Sequence, residues 1–429
     1  MKELMSCMKK YRTEAVLAPL FKLCEACMEL LVPLVVAMIV DVGIAAGDVS
    51  YIVGRCLILV AFGVAGLAFA LTAQFFAAKA AVGTSALLRQ RLFDKLQSLS
   101  YTQIDDLGTA TMITRMTSDV NQVQSGVNMT LRLLLRSPIV VFGATVMAFV
   151  VDWAAALVFV AVTPLLAAAV VGIMRATVPM YKKVQGKMDG VYLATHENLA
   201  GVRVIRAFCK EEDEKREFAR RNAELRREQK LAGGIAALTN PITYALVSVA
   251  SIALVWVGGY RVDTGVLLQG DVIALYSYLS IILVELVKFA NLIFTASKAI
   301  SCEKRIEAVL AKEGEPSVLA PERESAEAGA DAPAFAFEDV TFAYHGGGAP
   351  ALHNITFSAR RGETVGILGG TGSGKTTLIS LLPRYYPASR GTVRLAGQDV
   401  NRIPAEELRE RVAVVPQKAV LFKGTIRSN

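Results

Sequence analysis

Six long apolar segments constrain the fold of this 429-residue chain more than any other feature. They lie near residues 15–40, 52–76, 133–151, 153–174, 238–260 and 272–294. Each is long enough to cross a hydrocarbon layer of about 30 Å as an α-helix. Because lipid cannot pair with backbone N–H and C=O groups, such segments must form helices with internal hydrogen bonds. The sequence therefore predicts an all-α, multi-pass membrane domain over residues 1–310.

The third and fourth segments form one nearly unbroken apolar stretch. As a single helix this stretch would be about 60 Å long, twice the hydrocarbon thickness. The chain must therefore turn within it, and the polar break at Asp152 and Trp153 is the predicted position.

Charge is distributed unevenly along the chain, which carries a net charge of +8. Lysine and arginine cluster before the first segment, and in the long loops after the second and the fourth. The other loops are short and acidic or nearly neutral. The positive-inside rule then places both termini and both long loops in the cytosol, with the spans in the cytoplasmic membrane. This clustering favours membrane topology, and not nucleic-acid binding, as the cause of the basic total. Membrane lipids are therefore expected partners, and nucleic acid is not.

The two long cytosolic loops show helical periodicity, as at Leu88, Leu92 and Leu96. If each is a helical hairpin that continues its two spans, each arm extends about 40 Å into the cytosol. The tips would lie near residues 101–107 and 201–208. Two interpretations are open: solvated connectors, or docking elements for a cytosolic domain. We favour docking, because a nucleotide-binding sequence follows on the same side of the membrane.

Charged residues also occur inside the predicted spans. Glu285 and Lys288 are three residues apart on one helix face of the sixth segment, and Lys22, Glu25 and Glu29 share a face of the first. Such groups either pair with each other or face a bundle interior that a substrate reaches. For Glu285 and Lys288 we favour pairing over direct substrate contact.

A glycine-rich loop near the C-terminal end has the pattern of a phosphate-binding site. It reads Gly369, Gly370, Thr371, Gly372, Ser373, Gly374, Lys375 and Thr376, followed by Thr377. This fits the phosphate-loop pattern G-x-x-x-x-G-K-[ST], and a predicted strand (364–368) and helix (377–382) flank it as the motif requires. Glycines allow the backbone to approach an anion, Lys375 supplies charge for the β- and γ-phosphates, and the Thr376 hydroxyl is placed to ligate Mg²⁺.

Two further changes in composition divide the chain. Residues 311–333 are rich in Glu, Ala, Pro and Gly without a periodic apolar face, and are predicted to be a linker. Residues 334–429 show short strands near 335–337, 340–344, 355–358, 364–368, 392–395 and 412–415. The pattern predicts an α/β domain with a β-rich first part.

The order of these features resembles that of an ABC exporter half-transporter, a six-helix membrane domain fused to an ATP-binding domain. The segment 340–344 is similar to the one whose aromatic residue, here Tyr344, stacks on adenine. Val415, Pro416 and Gln417 resemble the Q-loop, whose glutamine reaches Mg²⁺ and couples to the membrane domain. Residues 197–208 resemble the family's second intracellular coupling segment. The resemblance implies ATP and Mg²⁺ as cofactors, with Thr376 and Gln417 as metal-binding residues.

The resemblance also implies what should follow Gln417: a signature motif, Walker B carboxylates, a catalytic glutamate and a switch histidine. No catalytic residue is assigned within the chain, and neither His345 nor His353 is in the switch position. We expect these elements beyond Asn429, so the ATP-binding domain is predicted to be incomplete and the sequence truncated. The 429-residue chain alone is not expected to sustain ATP hydrolysis.

For the intact protein the resemblance implies ATP-driven export of a small molecule, lipid or peptide. It would act as a dimer with a second half-transporter, identical or different. The alternative is a nucleotide-binding subunit with a degenerate catalytic site, acting as the regulatory half of a heterodimer or as a non-hydrolytic fragment. The residue after the Walker B strand would separate the two.

Overall fold

The computed structural model describes residues 2–312, 314, 333–344, 348–417 and 421–428. The α-helices among them are α1 Lys2–Met8, α2 Arg12–Met38, α3 Val49–Gln97, α4 Tyr101–Leu107, α5 Thr109–Thr114, α6 Val120–Leu133, α7 Arg136–Val151, α8 Trp153–Ala200, α9 Val202–Ala207, α10 Glu211–Ala237, α11 Thr239–Asp263, α12 Gln269–Leu310, α13 Lys375–Leu381 and α14 Ala405–Arg411. The strands are β1 Phe335–Phe342, β2 Leu352–Ala359, β3 Arg390–Leu395 and β4 Gln398–Asp399. Most of the predicted linker, and His345, lie outside the described residues.

The six predicted spans are confirmed. Each falls in a helical stretch of 42 to 53 residues that is long and apolar enough to cross a membrane. The stretches exceed the predicted spans because the long loops continue as helix. Short π-helical turns at Ile39–Ile44 and Arg115–Asp119 keep two of these stretches continuous.

The predicted turn at Asp152 and Trp153 is also confirmed. Asp152 has an extended backbone and caps α8, its Oδ1 accepting hydrogen bonds from the backbone N–H groups of Ala154 and Ala155 at 2.8 Å. Capping satisfies amide groups that the first helical turn leaves unpaired. Arg261 donates from Nε to the other carboxylate oxygen of Asp152 at 2.6 Å, which ties this turn to the end of α11.

The membrane helices, Met1–Ser85 and Asn121–Ser301, form one compact unit. Half of the buried residues of its core are alanines, and the other half are larger apolar side chains. Ala26, Ala144, Ala148 and Ala156 are fully buried beside Phe159 and Tyr278. Small side chains let helices approach closely where hydrophobic driving force between helices is absent.

The second compact unit combines Ala86–Val120 with Cys302–Asn429. Its sheet is antiparallel, with strand order β2-β1-β3-β4. Phe337, Val340 and Phe342 of β1 alternate into a core that also contains Leu378 and Leu381 of α13. The core thereby fixes α13, and with it the phosphate loop, against the sheet.

Two of the predicted strands are not formed. Residues 364–368 and 412–415 have no strand partner among the described residues, and Leu368 and Val415 are 97% and 94% exposed. An apolar run becomes a strand only where a neighbouring backbone supplies hydrogen bonds. The two short strands predicted at 335–337 and 340–344 instead form the single strand β1, with shifts of register along it.

Candidate nucleotide site

The phosphate loop depends on its glycines. Gly374 has a left-handed backbone (φ 87°) directly before α13. A Cβ there would lie 2.8 Å from Leu352 Cδ2 and 2.9 Å from the Ala351 carbonyl oxygen, so only glycine fits. On the outer side of the loop, Cβ positions at Gly370 and Gly372 would meet nothing within 4 Å. The loop is thus packed on one side and open on the other, as anion binding by backbone N–H groups requires.

Lys375 lies across this loop. Its Nζ donates to the carbonyl oxygens of Gly369 at 2.8 Å and Gly370 at 2.6 Å, and to Ser373 Oγ at 3.3 Å. The ammonium group is therefore at the open side of the loop. The adjacent Thr376 side chain is exposed, so its hydroxyl is free to take a ligand from solvent. An ammonium and exposed hydroxyls beside open glycines fit a polyphosphate with a divalent cation.

Tyr344 lies beside the start of α13. Its hydroxyl is 3.0 Å from Thr377 Oγ1. The ring meets Phe342 and Tyr386 edge to face, at centroid distances of 4.9 and 5.4 Å, and remains 41% exposed. The structure therefore brings Tyr344 and the phosphate loop together, with aromatic surface left on which a planar base can stack.

Gln417 is not brought to the loop. It is exposed in a segment without regular structure, and no hydrogen bond within the described part of the chain joins it to residues 369–377. The unformed strand 412–415 precedes it, and residues 418–420 lie outside the described ranges.

Sequence reasoning missed part of this site. Beside Tyr344 is a cavity of about 520 Å³, lined also by Tyr386 and by Thr102, Asp105 and Asp106 of α4. The tip of the first long loop thus forms one wall, which supports the docking interpretation for that loop. The sequence feature that could have indicated this part of the site is the pair Tyr385 and Tyr386, shortly after α13. However, Asp105, which Tyr386 contacts, is more than 280 residues away along the chain.

The charged residues of the membrane unit form a network around a residue that sequence reasoning also missed. Lys288 donates to Glu285 at 2.8 Å, so the predicted pairing is confirmed. However, Glu285 also accepts hydrogen bonds from Arg136 at 2.5 Å and from Ser137 at 3.0 Å. Arg136 further pairs with Glu29, so the network joins α2, α7 and α12. Opposite charges that satisfy one another reduce the cost of placing ions within a membrane bundle.

These features define a multi-pass membrane protein with a nucleotide-binding region on the same chain. Residues 16–286 match the family model described as ABC transporter transmembrane region, and residues 352–429 match the one described as ABC transporter. The chain belongs to the ABC transporter family, with the arrangement of an exporter half-transporter. Membership implies ATP binding.

Several relatives cover most of the chain. The ABC transporter ATP-binding protein YfiB of Bacillus subtilis (strain 168) is 32% identical over 430 residues, which is 100% of this chain and 74% of YfiB. Rv1273c of Mycobacterium tuberculosis is 33% identical over 432 residues, 98% of this chain and 72% of that protein. The ATP-dependent lipid A-core flippase of Syntrophus aciditrophicus is 27% identical over 346 residues, 80% of this chain and 56% of the flippase.

Proposed function

We propose that this protein exports an amphipathic small molecule, lipid or peptide across the cytoplasmic membrane, driven by ATP, as a dimer with a second half-transporter. The observation that carries the proposal is the hydroxyl contact of 3.0 Å between Tyr344 and Thr377, which supports an aromatic platform for the base next to the glycine-rich loop. The names of the lipid A-core flippases among the relatives favour a lipid as the transported class.

Each residue of the site has a proposed role. Residues 369–377 hold the phosphates, and Lys375 neutralises charge at the β- and γ-phosphates. Thr376 and Gln417 would hold Mg²⁺, which supplies charge neutralisation at the phosphoryl group when bound. Tyr344 stacks on the adenine. In this assignment, Gln417 reaches the site through a movement of the described segment 412–417 toward the phosphate loop.

The membrane half is proposed to comprise residues 1–310, followed by the linker 311–333 and the ATP-binding domain from 334. Both termini and both hairpin tips face the cytosol, supported by the basic residues in those loops. Alternating access requires that ATP bind one arrangement of the helices better than the other. The hairpins, which continue the spans as helix, are the elements that would convey this preference.

The test is nucleotide binding by the purified chain in lipid nanodiscs. We expect Lys375→Ala to weaken ATP binding by about 100-fold, because it removes charge-assisted hydrogen bonds to the phosphates. Lys423→Ala is the matched control, since Lys423 is an exposed lysine of the same region, and it should bind ATP like the unmodified chain. Equal ATP affinity in the Lys375→Ala and Lys423→Ala chains would refute the site assignment.

A further inference from the structure

Tyr386 lies between the base platform and the first cytosolic tip. On one side its ring meets Tyr344 at a centroid distance of 5.4 Å and an interplanar angle of 80°. On the other side its hydroxyl donates to Asp105 Oδ2 at 2.6 Å. All three residues line the same cavity of about 520 Å³. A base bound at Tyr344 would therefore enter a space whose wall includes the contact between Tyr386 and Asp105.

The tip that carries Asp105 is a defined element. Ser100 and Gln103 form a reciprocal capping box at the start of α4, and Gly108 ends the helix with φ 72°. Tyr101 adds a ring contact to Tyr385 at 4.6 Å. Capping fixes the direction of a helix this short, so its contact with Tyr386 moves the whole tip and not one side chain.

The chain around Tyr386 is also held in place by contacts with the rest of its own compact unit. It follows α13, and the neighbouring Arg384 donates to the carbonyl oxygens of Val400 at 2.9 Å and Ile403 at 3.0 Å. Burial and the carboxylate of Asp105 raise the pKa of Tyr386 above its usual range, so the hydroxyl stays protonated and available as a donor at neutral pH. A hydrogen bond from a neutral hydroxyl to a carboxylate is among the stronger ones in proteins.

From these contacts we infer that Tyr386 is a positioning residue: it links occupancy of the base site at Tyr344 to the position of the first cytosolic tip through Asp105. The inference rests on the proposed ATP site. A base that stacks on Tyr344 restricts the tyrosine rings, favours the geometry of the hydrogen bond to Asp105, and holds α4 against the sheet. Linkage makes the effect reciprocal, so loss of this contact lowers ATP affinity by the same factor by which ATP strengthens it.

The experiment measures backbone hydrogen exchange of residues 101–107 in the full chain in nanodiscs, with and without a saturating non-hydrolysable ATP analogue. In the unmodified chain we expect the analogue to slow exchange in the tip by about tenfold, the size of one charge-assisted hydrogen bond. Tyr386→Phe and Asp105→Ala should each remove this slowing although the analogue is bound. The double variant should lose no more than either single one, because both remove the same bond.

Two matched variants control for general loosening of the interface. Tyr385→Phe changes the neighbouring tyrosine, and Asp94→Ala changes an exposed aspartate on the arm that leads to the tip. Both variants should keep the tenfold slowing. Persistence of the slowing in Tyr386→Phe with analogue bound, or its absence from the unmodified chain that binds the analogue, would overturn the inference while leaving the ATP site in place. Failure of the proposed function would be seen differently, as an unmodified chain that binds no analogue at all.

Discussion

The two long helical hairpins that continue the membrane spans share one plan but differ in how their tips are covered. In each, two long helical arms are joined by a short helix, α4 in the first and α9 in the second. The first tip presents Tyr101 to Tyr385 within its own compact unit, with ring centroids 4.6 Å apart. The second tip leaves Leu199 and Phe208 each 73% exposed. Apolar side chains exposed together mark a surface for a partner.

The hairpins also differ in how they are fastened. In the first, the buried carboxylate of Asp119 accepts hydrogen bonds from Arg305 of α12 at 2.5 and 3.0 Å, and from Arg115 at 2.7 Å. In the second, a surface ion pair joins the two arms, α8 and α10. This pair lies between Lys187 and Glu224, at 2.6 Å. Because a buried charge without its partner costs much more than an exposed one, this ionic contact stabilises the first hairpin more than the surface pair stabilises the second. A firm first hairpin suits transmission within one chain, and an exposed second tip suits contact with another.

The largest effect should follow from breaking the buried fastening of the first hairpin. Asp119→Ala leaves Arg305 and Arg115 without their shared carboxylate. We expect a loss of about 3 kcal/mol in local stability, because the substitution removes three charge-assisted hydrogen bonds to one buried carboxylate. The measurement is hydrogen exchange over residues 86–120, where protection should fall by about two orders of magnitude.

Asp94→Ala is the control on the same hairpin, since Asp94 is exposed and, within the described ranges, accepts a hydrogen bond from Gln90 alone, at 2.8 Å. It should change protection little, because exposed substitutions of this kind alter stability by about 0.5 kcal/mol or less. If Asp119→Ala lowered hydrogen-exchange protection no more than Asp94→Ala, the buried contacts of Asp119 would not stabilise the first hairpin.

The next effect concerns the exposed second tip. If this tip contacts a second half-transporter, Phe208→Asp places a charge in an apolar interface and should weaken dimer formation by about 30-fold or more. Since Phe208 is 73% exposed, the fold of the single chain should not change. Dissociation constants measured in nanodiscs or detergent by sedimentation would show the difference.

Tyr192→Asp is the matched control, because Tyr192 is 72% exposed but lies on the arm of α8, away from the tip. It should leave dimer formation unchanged. Equal weakening by both substitutions would indicate a general effect of added negative charge and not a docking role for the tip.

The sequence predicted the spans, the turn at Asp152 and the phosphate loop because each depends on local pattern. Apolar length decides a span, and the glycines and lysine of the loop adjoin one another. The contact of Tyr386 with Asp105 and that of Glu285 with Arg136 depend on long-range packing, which no periodicity within one segment encodes. The strands predicted at 364–368 and 412–415 are wrong for a related reason. The sequence of each segment shows its apolar character. Whether a neighbouring strand pairs with the segment depends on the whole fold.

The smallest effect should come from the surface fastening of the second hairpin. Lys187→Ala removes the pair with Glu224, whose side chains are 47% and 39% exposed. Solvent and salt already screen such a pair, over a Debye length of about 8 Å at physiological ionic strength. The unfolding midpoint should therefore shift by about 1 °C or less, and any shift should vanish at high salt. A loss comparable to that of Asp119→Ala, independent of salt, would show that the second hairpin is fastened as firmly as the first and would remove the reason for assigning it to a partner.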